Sequence, residues 1–172
     1  MVKVEILTSS RFNEFYDVFT ALMNEGYEGF SETLKKYFLN NDYSKFTYSY
    51  WLEKNFRRFT LAVDQESNKI VGFLIGDNTY GGVGFISWIG ILPEFRGKDI
   101  GKMLFDDYEK FARVKKAHLL ELFTYEKVKP FYEKLGFVEI GRRDEGFYGS
   151  RNIIMDKKIG DWNDENLVKR EI

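Results

Sequence analysis

The sequence predicts a mixed α/β (α+β) fold in which a central, mostly antiparallel sheet of about six to seven strands is flanked by helices. Three observations carry that expectation. Strand-like runs alternate with helical periodicities along the whole chain. Three β-rich runs follow one another between Phe59 and Leu92, separated only by turn-forming residues. An amphipathic stretch from Ile100 leads into the short apolar run Leu119 to Phe123. At 172 residues the chain is long enough for one substantial core and short for two, so a single domain over residues 1–172 is expected.

Taken in order, Val2 to Leu7 alternates apolar and polar residues as a half-buried strand does. Ser9 or Ser10 then offers a cap for a helix carrying Phe12, Phe15, Tyr16 and Phe19, with Gly26 and Gly29 interrupting. Thr33 to Leu39 and Ser44 to Arg57 read as two more helices, the second with Tyr48, Trp51, Leu52 and Asn55 along one side. Phe59 to Val63 and Ile70 to Ile75 form an expected hairpin across the polar stretch Asp64 to Lys69, and Gly81-Gly82 turns the chain into Val83 to Leu92, which stops at Pro93. Met103, Leu104, Tyr108, Phe111 and Ala112 fall at helical spacing. Leu119 to Phe123 is a strand, Val128 to Leu135 a short helix closed by Gly136, and Phe137 to Arg142 and Arg151 to Met155 are the last strands. Beyond Gly160 the tail is polar except for Trp162, Leu167 and Val168, which suit docking on this subunit or on another, as in a homodimer.

Composition narrows the chemistry. With 44% hydrophobic and 31% charged residues and a net charge of -1, the chain has the composition of a soluble globular protein, and no cationic excess favours nucleic acid as a partner. Cysteine is absent and His118 is the only histidine, so disulfides, thiol nucleophiles and nitrogen–sulfur zinc sites are excluded, and no metal is expected. Glu5 breaks the apolar N-terminal run, which argues against a secretory leader or membrane anchor and for the cytoplasm. The 18% aromatic share is concentrated between Phe12 and Phe59, where it suits either a core or a binding cleft.

The segment richest in chemistry runs from Ile91 to Lys102, a strand that stops at proline and passes through a glycine-containing loop into a helix. A helix start presents unpaired backbone N–H groups and partial positive charge, which together can hold a diphosphate. Gly97 and Gly101 allow close backbone approach, and Arg96, Lys98 and Lys102 add positive charge, although the same residues also suit an exposed basic turn capping a helix. A Walker loop does not fit: Gly97 is followed by three residues before Gly101-Lys102, and Met103 stands where serine or threonine is required. Gly81-Gly82-Val83-Gly84 lies between antiparallel-type strands and is read as a hairpin turn rather than a dinucleotide fingerprint.

Arg96 to Gly101 resembles motif A of the GNAT superfamily of acyl-CoA-dependent N-acyltransferases: arginine or glutamine, two residues, glycine, one residue, glycine or alanine. Arg96 and Gly101 match its ends, while Asp99 stands where the first signature glycine is expected, placing a carboxylate beside the expected phosphates. Aspartate reaches left-handed backbone geometry less readily than glycine but does reach it. A second likeness follows in Phe131-Tyr132-Glu133-Lys134-Leu135-Gly136-Phe137, which is similar to the family's terminal helix and return strand. The resemblance covers about residues 59–158, with residues 8–58 similar to the variable acceptor-side region and 159–172 a tail. Tyr125 departs from the asparagine common at its position.

The resemblance implies a sheet splayed between its fourth and fifth strands, with the pantetheine of acetyl-CoA in the slot and no metal. Ile91 and Leu92 would offer main-chain hydrogen bonds, an oxyanion donor among them, and Arg96, Gly97, Lys98, Asp99, Ile100, Gly101 and Lys102, with Tyr125, would contact the cofactor. Tyr132 occupies the position whose phenol protonates the departing thiolate; a tyrosine packed in the core is the alternative. Glu121 interrupts the apolar strand Leu119 to Phe123 and is the candidate base, with a solvent-facing strand position as the other reading and His118 or Asp77 as substitutes. The implied activity is acetyl transfer from acetyl-CoA to a primary amine, small molecule or protein, by direct attack in a ternary complex. An inactive acyl-CoA-binding sensor or assembly module is the alternative.

Overall fold

The computed structural model describes residues 1–26 and 30–165. Seven strands, β1 (Val2–Ile6), β2 (Arg57–Asp64), β3 (Ile70–Asp77), β4 (Val83–Ile91), β5 (Leu119–Thr124), β6 (Val138–Arg143) and β7 (Asn152–Lys158), form one sheet in the order β1-β2-β3-β4-β5-β7-β6. Five α-helices accompany it among the described residues: α1 (Phe12–Gly26), α2 (Glu32–Asn40), α3 (Lys45–Glu53), α4 (Ile100–Val114) and α5 (Lys129–Lys134). The sheet is mixed and mostly antiparallel, as expected, with β4 and β5 parallel. A parallel pair needs a crossover, and α4 supplies it. The chain divides into two compact units, Met1–Ile75 with Trp88–Asp107 and Gly76–Ser87 with Tyr108–Ile172.

In the first unit the aromatic residues of the N-terminal third make a core. Phe15 lies edge-on to Phe59 and Phe73 at 5.4 Å, and Phe19 meets Tyr48 at 4.8 Å. Each of these rings is at most 1% exposed, because fixing several large apolar side chains against one another removes more area from water than lining a cleft would. Tyr48, a candidate for the acceptor cleft by sequence, is therefore core, and Trp51 is half-buried beneath Arg57.

Local chemistry sets the helix ends. The Ser31 and Ser44 hydroxyls accept from the Leu34 and Thr47 amides, capping α2 and α3. Neither Ser9 nor Ser10 caps α1; both lie in a single 3-10 turn ahead of it. There Arg11 pairs with Glu5 and Glu14, and Glu14 accepts from the Ile70 amide, which ties α1 to the start of β3. Helix α3 stops at Glu53 rather than Arg57, because Asn55 turns left-handed (φ 55) and the Phe56 amide bonds back to the Trp51 carbonyl.

In the second unit the Tyr108 ring packs against Gly76 of β3 and Gly84 of β4. Its hydroxyl donates to the Asp77 main chain or carboxylate at 3.1 Å, and the same carboxylate accepts from the Thr79 and Phe85 amides. Asp77 Oδ1 thus ties the turn before β4 to α4. A Cβ at Gly76 would come within 2.3 Å of the Tyr108 ring, which is why glycine stands there. Trp162 of the tail packs edge-on against His118 of its own chain at 5.1 Å; Leu167 and Val168 lie outside the described residues, as does Gly29.

Gly76→Ala is expected to destabilise the protein by about 1–3 kcal/mol, the usual cost of forcing an extra methyl into a packed interior. Urea unfolding checks this as a lowered midpoint with an unchanged slope.

Candidate functional site

The strand-to-helix segment takes the course that its residues dictate. Pro93 ends β4 and opens a 3-10 turn through Phe95, in which the Phe95 and Arg96 amides bond to the Leu92 and Pro93 carbonyls. Gly97 and then Asp99 adopt left-handed conformations (φ 74 and 57), and the Met103 amide closes the first turn of α4 on the Asp99 carbonyl at 3.1 Å. A Cβ added at Gly97 would meet nothing within 4 Å, so the chain is open on that side. Alternating hands of backbone in front of a helix turn successive N–H groups toward one concavity, the arrangement that holds phosphate oxygens. Ile100 and Gly101 are buried at the helix start, whereas Lys98 and Lys102 are exposed. By this geometry the residues present fit a diphosphate.

The side chains around the loop are arranged differently from the simple expectation of three free cations. Arg96 donates to both carboxylate oxygens of Glu25 on α1, at 3.1 and 2.8 Å, and through Nε to the Ile91 carbonyl at 3.0 Å. Lys102 is paired with Asp106 one turn along α4, and Lys98 lies over the Phe95 ring at 5.0 Å. Arg96 thereby fixes the end of β4 against α1, a role no local pattern announces because Glu25 lies 71 residues away in sequence. The Leu92 amide is donated to the Val71 carbonyl at 2.9 Å, so of the two expected main-chain donors Leu92 is already engaged.

In the second unit, β5 alternates cleanly: Leu120, Leu122 and Thr124 are buried, and Leu119, Glu121 and Phe123 are half-exposed. Paired positions of β4 and β5 run from Val83 and Leu119 to Ile86 and Leu122, while β4 itself continues to Ile91. Glu121 is directly opposite Asp156 of β7. Burial raises the Glu121 carboxyl above the ordinary range, the charge of Asp156 adds to the rise, and Arg143 opposes it.

Tyr132 sits in α5, whose start is marked by Pro130 and by the Tyr125 carbonyl, which accepts the Val128 and Lys129 amides; Gly136 (φ 90) ends it. The Tyr132 ring is 7% exposed, packed against Phe131 and Phe137, and its hydroxyl is hydrogen-bonded with Thr124 at the end of β5. Burial pushes the phenol well above its usual range, keeping it protonated. Glu25, Thr124 and Asp156 are the partners that sequence reading does not single out. Thr124 carries the one available signal, a polar residue ending an apolar strand next to the conspicuous helix.

The chain belongs to the Acetyltransferase (GNAT) family, whose model matches residues 17–137. It is similar to the glucosamine 6-phosphate N-acetyltransferase of Trypanosoma brucei brucei, 43% identical over 55 residues; the match covers 32% of this chain and spans 37% of the length of that relative. Its fold is similar to that of the PaiA N-acetyltransferase of Thermoplasma acidophilum in complex with coenzyme A, with TM-score 0.78, 20% identity and coverage of 92% of this chain and 99% of that one. It is also similar in fold to a spermidine N-acetyltransferase chimera with Vibrio cholerae as one source, with TM-score 0.70, 17% identity and coverage of 91% and 95%. No helix of the described residues is long and apolar enough to cross a membrane.

Replacing Asp99 with glycine keeps the left-handed turn and removes a carboxylate from the loop. Asp99→Gly is expected to tighten coenzyme A binding by about three- to tenfold, roughly 0.7–1.4 kcal/mol of relieved repulsion, as measured by titration calorimetry.

Proposed function

We propose that this chain transfers the acetyl group of acetyl-CoA to a primary amine by direct attack in a ternary complex. The observation that carries the reading is the left-handed turn at Gly97 and Asp99 immediately ahead of α4, which would offer main-chain N–H groups to a diphosphate while Arg96 and Lys102 stay paired elsewhere. Gly97 to Lys102 would hold the diphosphate, with Arg96 bracing the loop through Glu25. Ile91 would offer the main-chain contacts to the pantetheine arm and the oxyanion, and Tyr125 would border the cofactor.

An alkylammonium must lose a proton before it attacks, at a cost of about 4–5 kcal/mol near neutral pH for a lysine-like amine. Glu121, half-exposed and with raised proton affinity, would take that proton. The freed nitrogen lone pair then forms the C–N bond, and the C–S bond breaks as its electron pair returns to sulfur. Tyr132, kept protonated by burial, would give its proton to the thiolate and be reprotonated as the nitrogen loses its second proton. The sum is amide, free thiol and one proton released to solvent. The two relatives act on an amino sugar phosphate and on spermidine by their descriptions, and the acceptor class here is an amine that presents an ammonium group to a carboxylate.

Thiol release from acetyl-CoA with a panel of amines tests the reading. Tyr132→Phe should lower kcat by about a hundredfold or more while coenzyme A affinity stays unchanged, since a proton donor acts only as charge develops. Saturable coenzyme A binding with no thiol release from any amine, and no effect of Tyr132→Phe, would instead identify an acyl-CoA sensor.

A further inference from the structure

One row of side chains crosses the second unit: Phe85 on β4, Glu121 on β5, Asp156 on β7 and Val138 on β6 occupy successive paired positions. Directly paired residues leave a sheet on the same face, with Cβ atoms about 4.5–5.5 Å apart in the antiparallel pairs. This face is the one opposite Leu122 and Met155, which are buried. Phe123 lies in the next row, in contact with Phe85 and Phe147 at 5.3 Å and beneath the Arg143 guanidinium at 5.1 Å. Two carboxylates therefore face each other between Phe85 and Val138, with Phe123 in the next row.

Like charges directly opposed across a ladder are destabilising, so this pairing contributes nothing to the fold. Among the described residues, neither carboxylate is neutralised by a close ion pair. Arg143 is held over Phe123, and Lys158, two residues from Asp156, is paired with Asp161 at 2.7 Å. Among the described residues, β4 contributes Phe85 to the row and β6 contributes Val138, while Arg143 and Phe147 reach the neighbouring Phe123 ring. Asp156 Oδ1 is buried with no hydrogen-bond partner among the described residues. Burial raises the Asp156 carboxyl too.

We propose that Asp156 is a positioning residue for Glu121: across the β5–β7 ladder its negative charge makes Glu121 a stronger acceptor for the proton of the incoming ammonium. The inference rests on Glu121 being the base of the proposed reaction. One proton moves from nitrogen to a Glu121 oxygen; Asp156 gains and loses nothing. A more basic carboxylate shares more of the proton at the transition state, and the Arg143 charge opposes that rise at Glu121.

The test follows the Glu121 side-chain carboxyl by carbon NMR titration of the full chain, alongside kcat/KM against pH with acetyl-CoA and a productive amine. In Asp156→Asn the Glu121 midpoint should fall, and the acid limb of kcat/KM should move to lower pH by the same interval, since activity is lost as the base becomes protonated. Asp156→Ala should act in the same direction should the amide fail to fold, and Asp156→Glu should restore the wild-type limb. An unmoved Glu121 midpoint overturns the inference and leaves the base assignment intact. A moved midpoint with an unmoved limb, wild-type turnover in Glu121→Gln, or no turnover of any amine overturns it by removing the base on which it depends.

Discussion

The contact between Tyr108 and the glycine-bearing strands sets the distance between α4 and the sheet in the second unit. Its ring occupies the space that side chains at Gly76 and Gly84 would fill, and its hydroxyl shares the Asp77 carboxylate with two backbone amides. Asp77 is half-buried, and its Oδ1 is used by a turn and by a helix together. Because β4 and β5 are parallel, a crossover between them is required, and α4 with the loop that begins it forms that crossover. Gly76 and Gly84 are thus geometric requirements of helix packing, separate from the glycine of the phosphate-type loop.

Much of this architecture was legible because it follows from short-range rules. Period-two and helical patterns located the seven strands and five helices to within a few residues, and the loop from Pro93 to Lys102 stood out by its breaker and glycine spacing. Asp99 illustrates how far such rules reach: aspartate at a glycine position still turned left-handed, since its short polar side chain lowers the cost of that geometry. The failures have equally local causes. Ser9 and Ser10 have the right chemistry for a cap, but a 3-10 turn intervenes, and Asn55 breaks α3 before the apolar pattern ends.

What the sequence withheld is mostly pairing at a distance. Glu25 and Arg96, Thr124 and Tyr132, and Glu121 and Asp156 meet only through the fold, and each pairing changes what its better-known member does. Arg96, conspicuous as a cation for phosphate, has its guanidinium on a carboxylate and a carbonyl. An exposed pair of this kind is worth little in stability, yet it constrains where the charge can point. The aromatic third posed the opposite problem, since rings suited to a cleft and rings suited to a core have the same spacing. Edge-on packing of Phe15, Phe19, Tyr48, Phe59 and Phe73 decides for core.

A shared architecture at 20% identity or below carries no substrate with it, so under the proposed reaction acceptor choice would rest on the carboxylate row. A phosphorylated acceptor such as that of the glucosamine 6-phosphate relative brings negative charge as well as an amine. On a face where Glu121 and Asp156 already oppose each other, an anion costs further repulsion unless Arg143 leaves the Phe123 ring to meet it. An acceptor that arrives with positive charge relieves that repulsion instead, and it does so before its proton moves. The same two carboxylates would then gather the ammonium and, through their mutual repulsion, favour taking its proton, so that recognition and activation of the amine draw on one electrostatic arrangement.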